Sequence, residues 1–294
     1  MARIAVIGPG AVGGTVAAWL MQSGAHEVTL CARTGFETLV VTTPEGVLTA
    51  QPRVLTDVEA ATPAEWVLVT TKAYDVAATG TWLARLVGPE TRVTVLQNGV
   101  EHVARFAGLV PESRIVPAVG DIPASRSAPG QIAQHRLGTI VVPEGANGAA
   151  FVALFEGAGI AVSAVPNWAQ RAWSKLCLNC AGAVTALTMR ATGPVWSEEI
   201  AALVEGLARE CAAVARAEGV HIDEAVIAGV IEGARRAPEG SGNSMFADRL
   251  AGRPMELDAR NGVIVRLGER HGMATPLNRL FVTLLGASGS PWIS

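Results

Sequence analysis

Apolar residues in this chain follow two rhythms. Through about the first 165 positions they come as short runs bounded by Gly, Pro and Thr. These are Ile4–Ile7, Val28–Ala32, Trp66–Thr71 and Arg92–Leu96, then Arg114–Val119, Gln131–His135, Thr139–Val142 and Ile160–Ala164. Runs of this length read as strands of a parallel sheet buried on both faces. Helical segments are expected between them at 11–23, 75–87, 100–107 and 148–157. Strand alternating with helix predicts an α/β fold, a doubly wound sheet with extra strands at its end. From Asn167 the strand signals vanish and helical periodicity takes over. Helices are expected over Trp168–Met189, Pro194–Glu218, Asp223–Ala234, Asp258–His271 and Pro276–Leu285, with Gly240–Asn243 as a loop. Pro194 would open its helix and Gly219 close it, the usual asymmetry of helix ends. The change near Val165-Pro166-Asn167 divides a sheet domain, 1–166, from an all-helical one, 167–294.

Composition adds bounds to this picture. Half of the 294 residues are hydrophobic and 17% are charged, which fits a folded protein and argues against disorder. The formal charge is −3 and no basic cluster interleaves with aromatics, so no nucleic-acid partner is expected. Charge, Gly or Pro interrupts every apolar stretch before the ~18 residues a membrane span needs. The first residues read as a strand and not as a charged-then-apolar leader, so the expected location is cytoplasmic. The four cysteines include one C-x-x-C, Cys177-Leu-Asn-Cys180, inside an apolar helical stretch. With no second such pair or H-x-x-x-H, buried thiols are favoured over a redox or zinc site.

The first strand runs into Gly8-Pro9-Gly10-Ala11-Val12-Gly13-Gly14 and then a helix. G-x-G-x-x-G in that context is a dinucleotide-binding fingerprint. Gly8 permits the tight turn, Gly10 lets the backbone approach a pyrophosphate, and Gly13 lets helix and strand pack. The helix N-terminus offers N–H groups to the phosphates. An NAD site would place Asp or Glu about 20 residues further on, to bind the ribose 2′-hydroxyl. Here the second strand ends in Cys31, Ala32 and Arg33. Arg33 is either a solvated residue or a ligand for a 2′-phosphate, and the missing acid favours the latter, hence NADP.

Other candidate groups stand at strand ends and on helices. Lys72 and Asn98 follow strands, where ligands of open α/β sheets bind. In Trp173-Ser-Lys175-Leu-Cys-Leu-Asn179, Lys175 and Asn179 share one face of an otherwise apolar helix. A lysine there either snorkels to solvent or acts as a proton donor. Ser244 and Glu256 supply a hydroxyl and a carboxylate, although a helix cap and a solvated side chain would also account for them. A two-domain enzyme of this plan would bind substrate in the cleft between its domains.

These residues, in this order, resemble the ketopantoate reductase family along essentially the whole chain. The resemblance rests on the glycine loop, the strand-end Lys72, Gln97-Asn98-Gly99 and Trp173 to Asn179. It continues through Ser244-Met245, the stretch Asp248 to Asp258, Asn261-Gly262, His271-Gly272 and Thr275-Pro-Leu-Asn278. The lysine helix and the stretch from Ser244 to Asn278 are its specific parts. It implies a Rossmann domain plus a helical domain similar to 6-phosphogluconate dehydrogenase. It also implies NADPH-dependent reduction of a 2-oxo acid, ketopantoate to pantoate. By position, Lys175 is the proton donor and Glu256 an acid near lysine, cofactor and substrate. Asn98 contacts nicotinamide and substrate, Asn179 and Ser244 contact substrate, Arg33 meets the 2′-phosphate, and Lys72 lies on the cofactor side.

Two positions depart from the family pattern. Ala183 stands where a second asparagine is usual, one turn beyond Asn179, and Gly193 where a further one is usual. Both changes predict a less polar substrate pocket, and lost donors to a hydroxyl change discrimination strongly. A D-2-hydroxyacid dehydrogenase acting on a less polar substrate is the competing expectation. A non-catalytic NADP sensor is a further one, which would need neither Lys175 nor Glu256. Self-association into a homodimer stays open, because apolar C-terminal helices can be core or interface.

Overall fold

The structure, a computed structural model, describes residues 1–191, 197–238 and 240–288. The expected helix start at Pro194, and Gly193, lie outside the described residues. The chain forms two compact units. One comprises Met1–Gln97 with Glu101–Trp168, the other Asn98–Val100 with the described residues from Ala169 onward.

The first unit opens with β1 (Arg3–Ile7), α1 (Ala11–Gln22), β2 (Glu27–Cys31), β3 (Leu39–Thr43), β4 (Gly46–Ala50) and β5 (Arg53–Leu55). There follow β6 (Ala64–Val69), α2 (Val76–Leu86), β7 (Val87–Val95), α3 (His102–Phe106), β8 (Ile115–Pro117) and β9 (Val119–Asp121). The unit ends with β10 (Ala124–Ala128), β11 (Gln131–Gln134), β12 (Thr139–Pro143), α4 (Ala146–Ala153) and β13 (Ala161–Val165). Six strands form a parallel sheet in the order β5-β2-β1-β6-β7-β8. Its alternate residues feed two cores. Ile4, Val6, Leu30 and Leu68 pack with Val16, Trp19 and Leu20 of α1 and with Phe151. Ala5, Ile7, Val67, Val69, Val93 and Val95 pack with Leu83 and Leu86 of α2 and with Phe106. Burial on both faces is why these strands read as continuous apolar runs. Trp19 is buried with its indole N–H donating to Gln134 Oε1 at 3.0 Å, so its polar edge is satisfied.

Several expected strands lie elsewhere. β11 belongs to a second sheet, β10-β11-β3-β4, and β12 and β13 to a third, β13-β12-β9. The run 114–119 divides into β8 and β9 at Ala118. The sequence pattern did not mark β3, β4, β5 or β10. Their residues are partly exposed, so their apolar signal is diluted. The β3–β4 hairpin is closed by Thr43, whose hydroxyl donates to the Gly46 carbonyl and accepts from Glu45 N–H.

The second unit contains α5 (Trp168–Ala181) from its second residue on, α6 (Ala183–Thr188), α7 (Glu198–Ala217), α8 (Glu224–Arg236) and α9 (Ser244–Leu250). A π-helical turn, Asp258–Gly262, leads into α10 (Val263–Arg270), and α11 (Pro276–Ala287) follows. The helix expected over Trp168–Met189 breaks at Gly182. There the Asn243 amide donates to the Gly182 carbonyl and to Thr185 Oγ1. A Cβ on Gly182 would lie 2.8 Å from Asn243 Nδ2. α7 begins after Ser197, whose hydroxyl accepts from Ile200 N–H. Gly219, at φ +81°, follows its last turn.

Two motif asparagines prove architectural. Asn261 donates to the Cys180 carbonyl and to Asn278 Oδ1, and Asn278 donates to Glu210 and to the Leu207 carbonyl. Glu210 in turn accepts the first-turn N–H groups of Leu277 and Asn278, capping α11. All four cysteines are buried. Burial pushes the Cys31 thiol up to about 12 and the Cys211 thiol well above its ordinary value, so neither offers a thiolate at neutral pH. Among the described residues, no helix is long and apolar enough to cross a membrane.

Candidate active site

Within the first unit, chemistry gathers where the strand order reverses, between β1 and β6. β1 ends at Ile7 and Gly8 turns at φ +84°, a conformation L side chains avoid. A Cβ on Gly8 would also lie 2.7 Å from Thr71 Cγ2. A Cβ on Gly13 would overlap Thr70 Oγ1 and come within 2.6 Å of the Gly8 carbonyl oxygen. Thr70 therefore packs directly on the helix start, and its hydroxyl bonds the Ile7 and Gly8 carbonyls. Gly10 differs, since nothing lies closer than 3.9 Å to a Cβ built there. α1, which begins beyond Gly10, has no side-chain cap and no acid in its first turn. Open space over Gly10 and an uncapped, acid-free helix end together fit a pyrophosphate.

The remaining groups of this unit surround that loop in sequence order. Arg33 is exposed just beyond β2. Lys72, half-buried, follows β6, and its carbonyl accepts from the Gln97 amide at 3.2 Å. Gln97 also donates to Thr71 Oγ1, so one buried amide ties two strand-end loops together.

The loop geometry yields a paired prediction. Gly13→Ala overpacks the loop and destabilises the fold by about 1–3 kcal/mol. Gly10→Ala leaves stability within about 0.5 kcal/mol yet weakens nucleotide binding, because its methyl enters the open space. Denaturant titration and NADPH titration of both variants check this.

In the helical unit, Asn98 Nδ2 donates to Glu256 Oε2 at 2.9 Å. Glu256 is only 5% exposed. A carboxylate this buried requires partners. Lys175 and Asn179 both lie half-buried on α5, beside the face formed by Ala172, Trp173, Leu176 and Cys180. Ser244 is exposed at the start of α9 and is not its cap. Asn243 performs that task, accepting from Met245 and Phe246 N–H. The Ser244 hydroxyl instead accepts from Arg260 Nη2 at 2.5 Å. Ala183 is fully buried in the apolar cluster.

Sequence reasoning passed over Arg260. It is 2% exposed, and burial lowers its pKa, opposed by the charges of Glu256 and Asp248. The available signal was an arginine four residues after Glu256, one helical turn on, between Ala259 and Asn261. The cap reading considered for Ser244 belongs to Asn243, the residue before it, which the sequence pattern placed in a loop.

Comparison with known proteins matches this arrangement along its length. The family model described as ketopantoate reductase PanE/ApbA matches residues 4–147, and that of its C-terminal part matches 167–288. The chain is 57% identical over 288 residues to 2-dehydropantoate 2-reductase of Caulobacter vibrioides, covering 98% of this chain and 99% of that protein. Among solved structures, the 2-dehydropantoate 2-reductase of Geobacter metallireducens superposes with a TM-score of 0.90 at 27% identity, covering 97% of this chain and 99% of that one. A dimeric ketopantoate reductase from Staphylococcus aureus superposes with a TM-score of 0.86 at 26% identity, covering 97% and 98%. With both halves matched by the two family models and a 57% identical relative aligned nearly end to end, this chain belongs to the ketopantoate reductase family.

Proposed function

We propose that the protein reduces 2-dehydropantoate to pantoate, with NADPH as reductant. The family is one of pyridine nucleotide-dependent reductases, and the glycine loop fits such a cofactor. The observation that carries the substrate is the 57% identity to a 2-dehydropantoate 2-reductase across nearly the full length of both chains. The choice of NADP rests on Arg33, which stands where an acid would serve NAD.

In this reading Gly8, Pro9, Gly10, Ala11, Val12 and Gly13 present backbone N–H groups to the pyrophosphate, with Arg33 and Lys72 as cationic ligands. Bound NADPH supplies a hydride to the ketone carbon. Lys175, as an ammonium, stabilises the negative charge developing on the carbonyl oxygen and gives it a proton. Glu256 favours the charged form of a nearby lysine. Asn98 orients Glu256 through their 2.9 Å hydrogen bond and contacts nicotinamide and substrate. Asn179 and Ser244 hold the substrate.

The test is NADPH oxidation against a panel of 2-oxo acids. Ketopantoate is expected to give the highest kcat/KM. A clear preference for simple branched 2-oxo acids would replace this substrate, and no turnover of any would refute the activity. The proposal includes a homodimer, as in the Staphylococcus aureus relative. Sedimentation velocity would report twice the 30.4 kDa chain mass.

A further inference from the structure

We propose that Arg260 is a specificity-determining residue for the carboxylate of the substrate, acting through Ser244. The inference rests on the 2-oxo acid reading above.

A serine hydroxyl has one hydrogen to give and two lone pairs to receive. Asn243 caps α9, so the Ser244 hydroxyl is not needed by its own helix. Arg260 Nη2 donates to Ser244 Oγ at 2.5 Å and occupies one lone pair. The remaining hydrogen is then available to an acceptor. Ser244 is exposed, so a ligand can reach it. Arg260 thus fixes Ser244 as a donor.

The charge of Arg260 supports the same role. Burying a guanidinium is costly, and such groups ordinarily bond a carboxylate directly. Among the described residues, Arg260 bonds only the neutral Ser244, and its buried Nε has no partner. Glu256 and Asp248 act on it through space, and Asp248 is already paired with Arg253 Nε at 2.9 Å. The guanidinium is therefore not discharged by a direct ion pair, and its field is felt at the hydroxyl it holds. A 2-oxo acid carries a carboxylate beside the ketone. A hydroxyl polarised by a cation favours that anion over a neutral amide of the same shape. Arg260 is a positioning residue here. Ser244 makes the contact.

The test compares a 2-oxo acid with its neutral amide, as the ratio of their kcat/KM values. Ser244→Ala and Arg260→Gln are each expected to lower this acid-to-amide ratio by about 10- to 100-fold, the scale of a lost hydrogen bond to a charged group. The loss should appear mainly in KM for the acid. The double variant should lose little more than either single, because the two side chains act as a unit. Arg260→Lys, which keeps charge without the planar fork, should recover part of the ratio. A purely structural role for Arg260 would lower activity on acid and amide alike and leave the ratio unchanged.

An unchanged ratio in folded Arg260→Gln overturns the proposal. If that variant does not fold, Ser244→Ala decides, with its folding checked by circular dichroism, since it removes the hydroxyl that Arg260 holds. An unchanged ratio there overturns the proposal as well. Failure of the 2-oxo acid reading shows separately, because the unmodified protein would then reduce no 2-oxo acid.

Discussion

Lys175→Ala is expected to lower kcat by about two to four orders of magnitude, the usual range for a lost general acid, with NADPH binding retained. The lysine is half-buried on α5, one turn before Asn179, beside a face that is otherwise apolar. A cation there can meet a developing alkoxide where water screens it little. Binding of the nucleotide should persist because Gly8, Gly10, Gly13, Arg33 and Lys72 are untouched. Reduction needs the ammonium form, so turnover by the unmodified protein should fade in alkaline solution. The Ala variant, having lost that proton, should not show the same decline. Removing Glu256 as well should cost far less than the product of the two single losses, because the groups work together. Steady-state kinetics and NADPH titrations on the four proteins decide it. A folded Lys175→Ala protein that binds NADPH and turns over within a few-fold of normal would exclude Lys175 as the acid.

The second large effect is expected at Arg33. Replacing it with alanine should reduce the preference for NADPH over NADH by roughly 10- to 150-fold, corresponding to a hydrogen bond to a charged group of ~1.5–3 kcal/mol. Arg33 is exposed just beyond β2, on the strand paired to β1, whose end carries the glycine loop. Exposure means screening, so the preference should shrink as ionic strength rises. The ratio of kcat/KM for the two nucleotides, measured at two salt concentrations, reads both effects. Equal use of NADH by the unmodified protein would remove the basis of the NADP assignment.

Five strands of the parallel sheet were legible because their buried stretches are mostly apolar; β5, its partly exposed edge strand, was not. β3, β4 and β10 were not, since partly exposed strands carry Thr, Ser and Gln among few apolar residues. The break at Gly182 was also silent. There the Asn243 amide, 61 residues away in sequence, packs on Gly182 and donates to its carbonyl, a long-range contact that periodicity does not encode. Asn98, Glu256 and Ser244 were marked by residue type and order. Their partners were less visible: Asn98 for Glu256, and Arg260 for Ser244, are long-range contacts that periodicity does not encode. Ala183 lies in the buried helical core.

The π-helical turn at Asp258–Gly262 has a consequence for how this stretch can change. An α-helix advances about 100° per residue, so one additional residue in a turn resets the phase of everything beyond it. Glu256 stands upstream of that reset and Arg260 within it; downstream, Val263, Ile264 and Leu267 lock α10 into the apolar cluster. The two sets can each be oriented for their own task because the bulge uncouples their phases. Loss of a single residue here would leave composition and hydrophobicity nearly intact. It would still rotate the charged pair away from its partners, or the apolar face out of the core. Substitution is therefore the gentler route of divergence through this segment, and length is its conserved quantity in the physical sense.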